Sequence, residues 1–214
     1  MKADGTILAR KFVDFTSDKD RMIHAMNRTR RKQSKYGPKS ARGLWAYVKR
    51  LNEDRAKKIS AAIVEFASQH SVDAIVMEHL DFKGCKKRGS KAQRLSMWNH
   101  GIIREKVEQK AHLLGIRIAT ICAWKTSALA FDGSGSVTRD DNNHALATFT
   151  TGKQYNCDLS ASYNIGARYF IRELLKSLPA TEESRVKAKV PDAGRRTSCT
   201  LSTLRALVKE LSAA

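Results

Sequence analysis

The sequence predicts a mixed α/β layer fold. Two β-branched apolar runs, at 72–77 and 116–121, read as strands. Long stretches of three- and four-residue apolar spacing lie before, between and after them. The resulting order is strand, helix, helix, strand, helix, strand, loop, helix, which is an alternating layered arrangement.

The elements follow in order. Asp4-Gly5 is a hairpin turn signal, and 6–13 reads as the strand after it. Residues 18–35 read as a helix with Ser17 or Asp18 as N-cap. Its last turns are basic, with Arg28, Arg30, Arg31, Lys32 and Lys35, and Tyr36-Gly37-Pro38 ends it. A longer helix presents Leu44, Val48, Leu51, Arg55, Ile59, Ile63 and Phe66 as one apolar face. The strand at 72–77 reads as buried and leads directly into Glu78. Residues 83–94 form a basic, glycine-containing loop with Lys86, Lys87, Arg88 and Lys91. A third helix covers about 95–114, with Gly115 as its stop. After the 116–121 strand, 125–157 is polar, rich in Gly, Ser and Asn, and weakly periodic; loops of that length are functional or mobile. A helix runs from Asp158 to about Leu178, and beyond Pro179 a basic tail carries a short helix at 201–212. The expected organisation is a core at 1–124, an insert at 125–157, a closing helix at 158–178 and a tail at 179–214.

Charge narrows the partner. Lys and Arg number 40 against 21 Asp and Glu, a net +19 with a pI near 10.1. Such a surface suits nucleic acid or an anionic membrane. No apolar run approaches the roughly 20 residues of a membrane span, and Met1-Lys2-Ala3-Asp4-Gly5 lacks a signal-peptide core. The expectation is a cytosolic protein with DNA or RNA, and no membrane, as partner. Cys85, Cys122, Cys157 and Cys199 are scattered without a Cys-x-x-Cys pair, so they read as reduced structural thiols.

Two acids stand in distinctive settings. Glu78 follows an apolar strand, where a carboxylate is costly to desolvate unless paired or metal-bound. Asp158 opens a helix. A carboxylate at a strand end and another at a helix start are well placed to share a divalent cation such as Mg²⁺, which keeps several waters and needs few protein ligands. Two-metal phosphodiester cleavage uses such groups to activate water and stabilise the leaving oxygen. The plainer readings are an exposed Glu78 just past the strand and an Asp158 that caps its helix. Asp132, Asp140 and Asp141 read as solvated turn residues, and His144 has no second His at ligand spacing. Trp98 and Trp124 could stack on bases or pack the core. The basic clusters at 28–35, 86–91 and 185–196 would supply phosphate contacts, which confer affinity and salt dependence rather than sequence specificity.

The segment Ala74-Ile75-Val76-Met77-Glu78-His79-Leu80-Asp81-Phe82-Lys83-Gly84 resembles the second RuvC motif of transposon-encoded TnpB proteins and related type V CRISPR effectors. Tyr155-Asn156-Cys157-Asp158-Leu159-Ser160-Ala161-Ser162-Tyr163-Asn164-Ile165 resembles their third RuvC motif. Residues 98–127 are similar to the helix and strand leading into that family's zinc-ribbon insert. The resemblance implies an RNase H-like fold and a Mg²⁺- or Mn²⁺-dependent, RNA-guided DNA nuclease of a mobile element. It assigns Glu78 and Asp158 as catalytic metal ligands and Arg139 as a basic residue of the active site, with DNA and guide RNA as partners. Two departures accompany it. The family's first catalytic Asp would lie on a strand before Met1, and neither Asp4 nor Asp14 substitutes for it. The chain therefore reads as the C-terminal part of a longer protein. Ala130, Gly133, Thr148 and Thr151 stand where zinc cysteines would fall, so no zinc is expected. The competing expectation is a catalytically incomplete nucleic-acid-binding protein or an inactive remnant of an insertion sequence.

Overall fold

A computed structural model describes residues 1–80 and 99–213. The basic loop expected at 83–94, with Lys86, Lys87, Arg88 and Lys91, lies outside the described residues, as do Cys85 and Trp98. The chain divides into two compact units: Lys11–Ile75 with Phe82–Ile118, and Met1–Arg10 with Val76–Asp81 and Ala119–Ala214.

The first unit is helical. Helix α1 spans Thr16–Tyr36, a 3-10 turn spans Pro38–Ala41, α2 spans Arg42–Gln69 and α3 spans His100–Leu113. Neither Ser17 nor Asp18 caps α1. The helix starts earlier, after Phe15, without a side-chain cap, because Asp18 is engaged elsewhere: its carboxylate takes Lys58 Nζ at 2.8 Å. Gly37 ends α1 at φ +86°, a conformation that L side chains rarely adopt, so the break falls where expected.

Helix α2 packs against both α1 and α3. Its buried stripe is Val48, Asn52, Ala56, Ser60, Val64 and Ala67, which shares only Val48 with the expected face. Small side chains let neighbouring helix backbones approach closely. Leu44, Leu51, Ile59, Ile63 and Phe66 flank the stripe, half-buried. Gly115 ends α3 as expected: at φ +70° it donates to the His112 carbonyl, while Ile116 donates to Ala111. Ala67, Ala111 and Ile116 then form a cluster with Val72, Ile75 and Ile118.

Strands β1 (Ala74–His79) and β2 (Arg117–Cys122) pair. The Arg117 N–H donates to the Asp73 carbonyl at 3.0 Å, so both strands begin at the same end and run parallel. Strand β1 reaches two residues further than expected and is half-buried rather than buried, which places Glu78 inside the strand. The strand expected at 6–13 does not form a ladder among the described residues. The Asp4-Gly5 turn closes, with Lys2 N–H on the Thr6 carbonyl and Thr6 N–H on Asp4 Oδ1, but the pairing ends at that rung.

The second unit contains the antiparallel strands β3 (Thr138–Arg139), β4 (Leu146–Thr148) and β5 (Gln154–Asn156), followed by α4 (Cys157–Ser177), α5 (Ala180–Lys189) and α6 (Leu201–Ser212). Thr138 lies opposite Thr148, and Ala147 opposite Tyr155. Strands of two and three residues are too short to leave a period in the sequence, which is why 125–157 reads as a loop. Phe131 packs edge-on to Phe149, Tyr155 and Tyr163, with ring centroids 5.0–5.5 Å apart. Ala130, Ala147, Phe149 and Cys157 complete this small core. Aromatic burial thus supplies the core of this segment.

The chain beyond Pro179 is more ordered than its charge suggests. Val186, Cys199, Leu201, Leu204 and Leu207 join Tyr163, Ala167, Ile171 and Leu175 of α4 in the largest core cluster. Burying each of these leucines contributes roughly 1.5–3 kcal/mol. Thr200 and Thr203 form a reciprocal capping box that fixes the start of α6.

Candidate functional site

Two features carry chemistry, one in each unit. In the second unit, Glu78 stands near the end of β1 and Asp158 on the first turn of α4. Asp158 does not cap that helix. Asn156 is the N-cap, and its side chain accepts the Leu159 N–H at 2.9 Å. The helix start is held further by Cys157, whose N–H donates to the Ala145 carbonyl and whose buried thiol faces the Ser127 carbonyl at 3.4 Å. The Asp158 carboxylate is therefore rigidly carried, exposed and released from capping.

Burial first, and then the negative charge of Asp158, push the Glu78 carboxyl above the ordinary carboxylate range. Among the described residues neither carboxylate has a hydrogen bond or an ion pair. Arg139 on exposed β3 brings positive charge to the same region: it pulls the Cys157 thiol down, against the burial that pushes it up. A half-buried carboxylate held against a like charge suits a hard divalent cation, which takes oxygen donors. Among the described residues no third His, Cys, Asp or Glu groups with the pair. Asp132 and Asp140 are turn residues, accepting the N–H groups of Ser134 and of Asn142 and Asn143. Asp141 and His144 are exposed, and Trp124 presents 65% of its surface.

Helix α4 is tied down behind this pair by two buried polar side chains. Asn164, fully buried, donates to the Thr126 and Leu129 carbonyls and accepts the Leu201 N–H. Arg168, 5% exposed, donates to the carbonyls of Cys122, Trp124, Thr197 and Cys199. Neither residue stands out in the sequence, where Asn164 and Arg168 read only as helix interior.

In the helical unit, α1 carries a stripe of cations. At about 100° per residue, Arg28, Arg31, Lys32 and Lys35 share one face, and the same period extends it back through His24 to Arg21. The stripe runs about 21 Å along the axis. Arg30 lies on the far side of the helix from it. Arg28, Arg31 and Lys32 are exposed and make no ion pair among the described residues, while Lys35 lies over the Tyr36 ring at 5.1 Å. The cluster expected from the sequence began at Arg28. The signal that extends it is the continuation of the basic period towards the N-terminus.

The structure resembles that of Cas12f1 solved by cryo-electron microscopy as a Cas12f1–sgRNA–target DNA complex. The match has a TM-score of 0.51 and 18% identity, and it covers 73% of this chain and 44% of that one. The likeness is one of fold. The matched part thus spans less than half the length of that protein. No protein-family model and no curated protein sequence matches the chain. Among the described residues no helix is long and apolar enough to cross a membrane.

Proposed function

We propose that the chain is the RuvC-type, RNase H-like portion of a TnpB-like RNA-guided DNA endonuclease, dependent on Mg²⁺ or Mn²⁺. The observation that carries this reading is the Glu78–Asp158 pair: two carboxylates within electrostatic reach, without a partner cation among the described residues. The fold likeness to a protein solved with sgRNA and target DNA supports it.

Glu78 and Asp158 would hold the cation, which when bound supplies an activated water and charge stabilisation at the leaving oxygen of a phosphodiester. Glu78 contributes a carboxylate already stripped of part of its hydration, so little reorganisation accompanies binding. Asp158 contributes a carboxylate fixed by the Asn156 cap. Arg139 offsets phosphate charge. In this reading the Phe131 aromatic cluster orders the insert in place of zinc.

A second reading is a nucleic-acid-binding protein that does not cut. The α1 cation stripe favours it, because that surface needs no metal. One experiment separates the two: end-labelled DNA is incubated with guide RNA and with the longer protein of which this chain is proposed to be a portion, as wild type, Glu78→Ala and Asp158→Ala, in Mg²⁺ and in Mn²⁺, with binding measured in parallel. The nuclease reading expects cutting by the wild type that both variants lose while retaining affinity. Cutting that survives Glu78→Ala overturns the ligand assignment. Wild-type binding without cutting selects the second reading.

A further inference from the structure

The N-terminal end of the α1 stripe does not lie on a flat surface. Arg21, His24, Ala25 and Arg28 of α1 face Leu44 and Tyr47 of α2 across an open groove of about 270 Å³. Its walls differ in chemistry. One carries two guanidinium groups and an imidazole, the other an aliphatic side chain and an aromatic ring, with Ala25 as the small, buried floor. Among the described residues no carboxylate lines it. Asp18, the acid nearest Arg21 in the ion-pair network, is held by Lys58 at 2.8 Å and reaches Arg21 only at 3.9 Å. Tyr47 leaves 40% of its surface exposed, and its ring has no aromatic or cationic partner among the described residues.

We propose that this groove is a nucleotide slot for single-stranded nucleic acid. Arg21 and Arg28, two helical turns and about 10.5 Å apart, flank the slot and take the phosphates. Tyr47 and Leu44 take one unstacked base. The chemistry favours a single strand over a duplex. In a duplex the base faces are stacked and out of reach, so the aromatic wall would have no partner. A single strand offers both a π-face to Tyr47 and phosphates that can continue along Arg31, Lys32 and Lys35. The volume is at the small end for ligand sites, which fits one nucleotide unit better than a large cofactor. The slot does not rest on the nuclease reading, since Glu78 and Asp158 take no part in it.

The test is fluorescence anisotropy on the full chain. It uses a labelled single-stranded oligonucleotide and a matched strand in which central nucleotides are abasic, so that phosphates are kept and bases removed. Stacking on an aromatic side chain corresponds to about a 5- to 150-fold change in affinity. Tyr47→Ala is expected to weaken binding of the normal strand about tenfold or more and leave the abasic strand nearly unchanged. Tyr47→Phe keeps the ring and is expected to bind both strands as the wild type does. Arg28→Ala is expected to weaken both strands alike and to flatten the salt dependence. Should Tyr47→Ala lose helical circular dichroism, Tyr47→Leu preserves the apolar bulk and removes the π-face. The proposal is overturned if the wild type binds the two strands equally, or if removing the ring weakens both by the same factor.

Discussion

Glu78→Gln separates the cost of holding a charge in this site from its use. Burial and Asp158 raise the Glu78 carboxyl in the folded chain above its ordinary value of 4.5. Folding therefore makes the carboxyl hold its proton more tightly than it does in the unfolded chain. At neutral pH the ionised carboxylate costs stability, and the cost fades as pH falls through the raised folded value towards the unfolded one. Glutamine keeps the shape without the charge. Relief of like-charge repulsion and desolvation at a partly buried site is of order 1 kcal/mol. For a chain of this length that corresponds to a rise in Tm of about 2–4 °C. Added divalent cation reverses the order. Wild-type protein in Mg²⁺ at about ten times its dissociation constant gains about 1.4 kcal/mol by mass action, whereas the amide oxygen of the variant carries no charge to bind it. Thermal scans at about pH 7 in EDTA and in excess Mg²⁺ are thus expected to cross: the variant is more stable without metal and less stable with it. A variant that melts lower than wild type in EDTA, or keeps the full Mg²⁺ shift, refutes the reasoning.

Other substitutions test the parts that hold the site. Arg168→Ala strands four carbonyls and is expected to cost about 3–5 kcal/mol in urea unfolding, with Arg168→Lys recovering a minority of the loss. Asn164→Ala removes three buried hydrogen bonds and is expected to cost about 2–3 kcal/mol by the same measurement. Phe131→Ala opens the aromatic cluster of the insert and is expected to cost about 2–4 kcal/mol, while a zinc chelator leaves the wild-type Tm unchanged. Arg31→Ala, Lys32→Ala and Lys35→Ala combined are expected to flatten the log–log salt slope of single-strand binding by about 2.

The alternation of strands and helices is legible because long periodic runs report it directly. Gly37 and Gly115 punctuate the chain where they are expected to, since a positive φ leaves few alternatives to glycine. The α2 face differs from the expected one because helix–helix proximity selects Asn52, Ala56 and Ser60, which a hydrophobicity pattern ranks low. The insert reads as a loop because three strands of two or three residues carry no period, and its core is aromatic side chains spread from Phe131 to Tyr163. The C-terminal segment reads as a tail because its lysines and arginines dominate its composition, yet Val186, Leu201, Leu204 and Leu207 decide its packing. At the proposed site, Glu78 and Asp158 are singled out by their local patterns. That Asn156 takes over the cap, leaving Asp158 unengaged, cannot be read, because nearby Asn and Asp are both good caps. The slot beside α1 needs Tyr47, which is remote in sequence from His24 and meets it only once the two helices are folded against each other.

The most direct test of the carboxylate pair is a Mn²⁺ titration followed by NMR of the side-chain carboxyl carbons. At substoichiometric Mn²⁺ the Glu78 and Asp158 signals are expected to broaden first and together, and each to lose that sensitivity when the other is replaced by its amide. Broadening spread over exposed acids such as Asp140, Asp141 and Glu182, or confined to one member of the pair, would contradict a shared metal site.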